Sequence, residues 1–589
     1  MKSSPHDVVA VNGIDALTGD YLLSGLTSGD LAAAVHVEGS DRSTKELRAR
    51  HRATTERVFA PRYGIDAADL AQAGWGAVFA ADADPAVRAA LRPLLEHRQS
   101  QAGAQAEHRY REFAGPDGLR RGESKQAFTR RHGSGPGPVD PDVMPYYVLL
   151  VGDPEEIPFD VQAQLSVQHA VGRLAFDEIS AYRRYAESVV AAETGPGGDR
   201  ANFSIFAPRH DGDRATALSA EHLAGPLAGQ LADELGSARV RVAVGPPASR
   251  QHLIEHLGGP TRPDVLLAMS HGIGLPCGDP RQRRGQGALL CQDWPGPGSG
   301  PVLPAYCFGA DDVTQLDAAD LGGMIALVLA CFGAGTPRYD SYQRAATERT
   351  PMAPAAFLAA LPQALLGREG GLSAVVGQVD RAWSYSFLWP GVGRQTETYR
   401  GAVARLCAGH TVGFALEYVA DRHAELASDL GAVLEELHLG RRVDDAVLAE
   451  LWTASVDARS LVILGDPAVR ATPRRAASAG HREAVPAEVV LPEPRPRRQR
   501  PVDVATYVAD DPAATGFDIA TGRITGARLH VVSHVEQDGT ATHVVGPDHL
   551  VMADDRQRNA LVDLHARLIK VSLDARTTSE EHTAEEDGG

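Results

Sequence analysis

Lysine is nearly absent from this chain: Lys2, Lys45, Lys125 and Lys570 are the only four in 589 residues. Its positive charge is therefore almost all arginine, which in an Ala- and Gly-rich sequence reads as codon bias rather than function. Cysteine is scarce too. Cys277, Cys291, Cys307, Cys331 and Cys407 form an odd set with no CxxC spacing, which argues against a disulfide framework or a structural zinc site. No run approaches 18 apolar residues, so no membrane span is expected. The opening MKSSPHDVVAVNG lacks the apolar core of a signal peptide, and a cytoplasmic location is the expectation. A net charge of −18 makes nucleic acid an unexpected partner. No internal repeat is present.

What is there is an ordinary globular composition, 43% apolar, in a chain long enough for two to four domains. Residues 1–143 read as a mostly helical N-terminal region. It holds a helical pattern at Ser43–Val58, one strand over Ala71–Ala80, a helix over Pro85–His97, a charged helix near Ala104–Phe113, and loop from 114 to 143. Residues 144–470 alternate strand and helix, with apolar runs at Tyr146–Val151, Asn202–Ala207, Arg239–Val244, Asp264–Gly272, Met324–Gly335, Leu372–Val379 and Ser460–Leu464. That alternation predicts an α/β fold with a mostly parallel sheet flanked by helices. A Pro/Arg-rich linker follows over 471–503. A small α+β domain is expected over 504–575, with a hairpin in Arg528–Val545, a helix Asp554–Asp574 and a possible regulatory partner. The acidic tail, 576–589, has the composition of a disordered segment.

In parallel sheets, ligands collect beyond the carboxyl ends of the strands. The loops expected there are Gly152–Glu156, Arg209–Arg214, Ser270–Gly274, Cys331–Gly335 and Gln378–Trp383. Two of them place a reactive residue first out of a buried strand: His271 and Cys331. Either alone would be read as structural. Together at two strand ends, 60 residues apart, they suit a thiolate–imidazole pair. Gly333 and Gly335 bend the chain past Cys331, and the N–H groups of Gly272 and Cys331 are candidates to hold an oxyanion. The long segment 275–320, with Pro295-Gly296-Pro297-Gly298 at its centre, is expected to be a mobile surface loop. Its Arg281-Gln282-Arg283-Arg284 run is a candidate processing site or lid, against a plain exposed loop.

Ser270-His271-Gly272 followed by Ala330-Cys331-x-Gly333 resembles the caspase–gingipain superfamily of cysteine peptidases, which includes the bacterial CHAT proteases. The gingipain type is the closer likeness. Its Gly-Asp after an early strand, its Val-Gly-Arg segment and its closing Gly-Asp-Pro are matched in order by Gly152-Asp153, Val171-Gly172-Arg173 and Gly465-Asp466-Pro467. Its Trp after the next strand is matched by Trp383. The likeness covers about 145–470. It implies a caspase-type sheet and cleavage of a protein or peptide substrate by a His271–Cys331 dyad, with no metal or organic cofactor. Departures are Leu329 and Phe332 around the cysteine and the longer segment between His and Cys.

The same resemblance places a specificity residue in Arg209–Arg214. Asp211 or Asp213 there would select a basic residue before the cut, and Arg214 an acidic one. Ser384, where caspases carry Arg, tilts the expectation slightly toward a basic residue, and Asp380 adds to it. Trp383 is expected to wall the adjacent pocket, against a packed core indole. The alternatives are a non-catalytic caspase-like interaction module and a cysteine-dependent acyl transferase. In the C-terminal hairpin, a turn at Glu536–Gly539 would align His530, His534 and His543 on one face; a solvent face explains them better than zinc.

Overall fold

The computed structural model describes residues 11–21, 61–198, 200–260, 262–316, 319–342, 349–389 and 392–473, and five strands between 502 and 547. They fall in two compact units, Met1–Val489 and Val490–Gly589.

The first unit is built on one ten-stranded sheet. In chain order its strands are β1 Trp75–Phe79, β2 Tyr110–Phe113, β3 Tyr147–Val151, β4 Ala170–Leu174, β5 Phe203–Ala207, β6 Val240–Val244, β7 Val265–Met269, β8 Ile325–Leu329, β9 Ala374–Gln378 and β10 Leu461–Gly465. Across the sheet they run β2-β1-β3-β4-β10-β9-β8-β7-β5-β6. Strands β1, β3, β4, β5, β7, β8 and β9 are buried at every position. Short continuous apolar runs such as VLLAM and IALVL are what strands covered on both faces require. Helices flank the sheet, among them α1 Arg92–Ala102, α2 Ile179–Thr194 and α3 Asp445–Ser460. This is a mixed α/β architecture with a large, mostly parallel central sheet flanked by helices.

One pairing reverses the expected geometry. Strand β10 lies antiparallel to β9 but parallel to β4. The sheet is therefore two five-stranded parallel halves pointing opposite ways. The carboxyl ends of β7, β8, β9 and β5 share one edge. Gly152–Glu156, after β3, lies at the other, so the expected gathering of five loops holds for four.

Trp75–Phe79 and Tyr110–Phe113, from the stretch before 143, belong to the same sheet. Tyr110–Phe113, expected in a helix, is a strand parallel to β1, and β1 pairs with β3. Local helical pattern yields there to an open sheet edge. The expected loop 114–143 contains the helix Lys125–Arg131, capped by Ser124 Oγ accepting from Ala127 N–H.

The three outlying landmarks of the resemblance meet one another in the β3/β4/β10 half. Arg173 donates to the Gly152 carbonyl at 3.0 Å. A Cβ at Gly172 would lie 2.1 Å from the Gly465 carbonyl oxygen. Asp466 accepts from the Trp75 indole at 2.9 Å and from Arg98 at 2.6 Å. These motifs build a sheet junction. Gly172→Ala is expected to cost about 1–3 kcal/mol by forcing β4 and β10 apart, read as a lower denaturation midpoint; an unchanged midpoint would contradict the close approach.

In the second unit, Arg528–Val535 pairs antiparallel with Val502–Val508 and with Ala541–Pro547. The hairpin register pairs Ser533 with His543 and His534 with Thr542. That is one residue off the register aligning three histidines, so His543 is out of phase with His530 and His534. The Ser43–Val58 pattern, most of the linker, the Asp554–Asp574 helix and the tail lie outside the described residues. Among the described residues, no helix is long and apolar enough to cross a membrane.

Candidate active site

Strands β7 and β8 are parallel neighbours in register, Met269 opposite Leu329. Just past them Ser270 N–H donates to the Leu329 carbonyl at 3.2 Å. A Cβ on Gly272 would sit 1.8 Å from the Cys331 carbonyl oxygen, so the residue after His271 has to be glycine for the two turns to pass. His271 and Cys331 therefore leave adjacent strand ends, about 5 Å apart by strand spacing. Phe332 holds φ at 59°, a left-handed conformation that is strained for an aromatic residue. The chain turns sharply at Cys331.

Both imidazole nitrogens of His271 are engaged. Nδ1 accepts from Gly13 N–H at 2.8 Å. Nε2 faces Asp213 Oδ2 at 2.8 Å, with both side chains fully buried. An amide can only donate, so Nδ1 carries the lone pair and Nε2 carries the proton. Tyr21 and Trp294 meet the ring edge-on, each with centroids 6.0 Å away.

Asp213 caps the helix Arg214–Ser219 by accepting from Ala215 and Thr216 N–H, and also accepts from the hydroxyls of Thr216 and Tyr21 at 2.5 Å each. Burial would raise its pKa, but His271 and these donors hold it well below the usual carboxylate range. This corrects the expectation that Asp213 lines a specificity pocket: its carboxylate is committed to His271. The signal was the strand order, since β5, which leads to Asp213, adjoins β7, and no local motif carries that.

Cys331 is fully buried. Its Sγ accepts from Ala382 N–H at 3.2 Å and lies 4.0 Å from the Ala382 carbonyl. Burial pushes the thiol up to about 12, against the opposing Ala382 N–H and the Arg381 charge. The thiol and imidazole are neighbours by backbone, but each is hydrogen-bonded elsewhere. Since the thiolate is the reactive form, a raised pKa means slow alkylation at pH 7. Iodoacetamide is expected to label the exposed Cys277 at least about tenfold faster than Cys331. Peptide mass mapping checks this, and equal labelling would contradict the buried thiol.

The other named residues separate. Asp380 is buried behind Cys331: Ser341 donates to it at 2.9 Å, and Arg381 lies 3.7 Å away. Burial raises its pKa. Arg381 is itself held by Asp340 at 2.7 and 2.9 Å. Trp383 is a core indole against Tyr342, centroids 5.2 Å apart, with its backbone N–H on Asp457 at 3.0 Å. It takes the packed alternative rather than an open pocket wall. Asp211 and Arg214 are exposed.

Two stretches contribute more than the sequence suggested. The 275–320 segment is built into the site: Trp294 and Cys291 are buried, and Leu289–Leu290 pairs with Cys307–Phe308. Gln282 is buried inside the arginine run and donates to the Leu275 and Met352 carbonyls, so the run is a helical turn anchored by Gln282 with its three arginines exposed. The N-terminal segment also docks here. Val11–Asn12 pairs antiparallel with Ala382–Trp383, and Ile14–Asp15 pairs parallel with Ile273–Gly274.

No protein-family model and no curated protein matches this chain. Two solved structures match this chain at low similarity. One is the complex of Porphyromonas gingivalis RgpB pro- and mature domains, with 11% identity and a TM-score of 0.38, covering 81% of this chain and 92% of that one. The other is titled only as the structure of a protease, with 13% identity and a TM-score of 0.39, covering 80% and 97%.

Proposed function

We propose that the protein is a cysteine endopeptidase acting through His271 and Cys331, with Asp213 orienting the imidazole. The observation that carries this reading is the His271 tautomer. Asp213 holds the Nε2 proton and so keeps the lone pair on Nδ1, the nitrogen that Gly13 N–H occupies here and that becomes a base beside the strand-end cysteine once that amide is released. Turning the Cys331 side chain from Ala382 toward Nδ1 brings S–H to the base. The thiol then loses its proton as it attacks a peptide carbonyl, and the N–H groups of Gly272 and Cys331 hold the oxyanion. His271 returns the proton to the leaving amine, and water releases the acyl group. Asp211, exposed in the Arg209–Arg214 loop, is what remains to support a slight preference for a basic residue before the cut.

The buried, raised thiol favours one rival, a non-catalytic module of the same fold. Purified protein and a Cys331→Ala variant profiled against a peptide library separate the two. Cleavage by the wild type, falling by at least about a thousandfold in the variant, supports the peptidase. Equal turnover by both would sink it.

A further inference from the structure

The segment 11–21 is laid across the candidate active site as an extended peptide. On one side Val11 and Asn12 add to the Ala382–Trp383 edge in antiparallel register, Asn12 opposite Ala382. On the other, Ile14 and Asp15 continue in parallel beside Ile273–Gly274. Strand addition of this kind is how peptides are held along a sheet edge by main-chain bonds. Ala382 is also the residue whose N–H touches Cys331 Sγ, at 3.2 Å. Between the two paired stretches stands the Asn12–Gly13 peptide bond. Its nitrogen lies 2.8 Å from His271 Nδ1, and its carbonyl belongs to the residue facing Ala382.

The local build suits this placement. Gly13 holds φ at 144°, a region open essentially to glycine alone. The chain can therefore switch there from one paired edge to the other while aiming its N–H at the imidazole. Downstream the segment is anchored: Ile14 is fully buried, Ala16 N–H donates to the Gly274 carbonyl at 2.9 Å, and Val302 N–H donates to the Ala16 carbonyl at 3.0 Å. Tyr21 hydroxyl reaches Asp213 at 2.5 Å. A nitrogen 2.8 Å from the base that must reprotonate the leaving amine occupies the leaving-group position of a substrate.

Building on the peptidase reading, we infer that the Asn12–Gly13 bond is this site's own substrate and that the protein cuts its chain there in cis. The Gly13 N–H first gives up its bond to His271 Nδ1; the Cys331 thiol then adds to the Asn12 carbonyl carbon, and its proton passes to the freed Nδ1. The C–N bond then breaks, His271 gives that proton to the Gly13 nitrogen, and a thioester joins Asn12 to Cys331. Water hydrolyses the thioester, leaving an Asn12 carboxylate, a free thiol and a new N-terminal amine at Gly13. The net change is one water consumed and one peptide bond lost. Being tethered, the segment needs no matched side-chain pocket, because its effective concentration at the site is in the millimolar range or higher.

The test follows full-length wild-type protein by intact mass and N-terminal sequencing. Loss of the first twelve residues and a Gly13 N-terminus are expected, at a rate independent of protein concentration. Cys331→Ala and Cys331→Ser should both slow the cut at least about a hundredfold. Gly13→Ala, which puts a Cβ where φ forbids it, should slow it about tenfold or more. An intact Asn12–Gly13 bond in a wild type that cleaves library peptides through Cys331 overturns the inference and leaves the peptidase reading standing. An intact bond without such cleavage overturns both. Cutting that persists in both Cys331 variants assigns it to spontaneous Asn-Gly chemistry and also overturns the inference.

Discussion

Asp213→Asn is expected to lower kcat by about 10²–10⁴-fold with KM little changed. The carboxylate now accepts from His271 Nε2 at 2.8 Å, while Tyr21 and Thr216 use its remaining acceptor capacity. An asparagine amide can turn an N–H toward Nε2, which drives the imidazole proton to Nδ1. The base would then face the thiol with a proton instead of a lone pair, and the Gly13 N–H would lose its acceptor. Asp213→Glu should recover part of the rate because it restores an acceptor. A purely structural Asp213 would lower melting temperature in both variants without this split, and unchanged kcat in Asp213→Asn would refute the orienting role. The depressed pKa of Asp213 also carries a sign. Its contribution to stability is present above about pH 4, the unfolded carboxylate value, and is lost as pH falls further.

Arg98→Met is expected to cost about 3–5 kcal/mol of folding stability. Arg98 is almost fully buried in α1, between Asp466 at 2.6 Å and Glu193 of α2 at 2.6 Å. Those contacts tie the N-terminal part of the sheet to the turn after β10. Methionine fills similar space but leaves two buried carboxylates without their cation. Burial would raise the Glu193 pKa, yet Arg98 and His97 outweigh it and bring it down to about 2. The pair's stabilisation is therefore complete above about pH 5 and fades as pH drops from the unfolded value near 4.3 toward about 2. The gap between wild type and Arg98→Met in urea unfolding should accordingly narrow in that acid range. A constant gap would show that lost packing, not lost charge, dominates.

The elements of this fold were largely legible in the chain. Runs such as Tyr147–Val151, Val265–Met269 and Ile325–Leu329 are apolar, short and bounded by Gly or polar residues, and each is a buried strand. Their burial is written locally because a strand covered on both faces needs nothing else. The position of His271 and Cys331 at two such ends was legible for the same reason. The helix expected over Ala104–Phe113 failed because Tyr110–Phe113 is decided by its neighbour β1 and not by its own pattern.

The amino-acid sequence by itself thus determined which segments are buried and which reactive residues stand at their ends. Tertiary structure alone decided strand direction and neighbours. It turned β10 against β9, moved Gly152–Glu156 to the far edge, gave Asp213 to His271, and brought Val11–Asn12 to Ala382–Trp383. The physical reason is that hydrophobicity is local and non-directional. Pairing between residues 58 or 370 positions apart depends on hydrogen-bond partners that only the assembled sheet supplies.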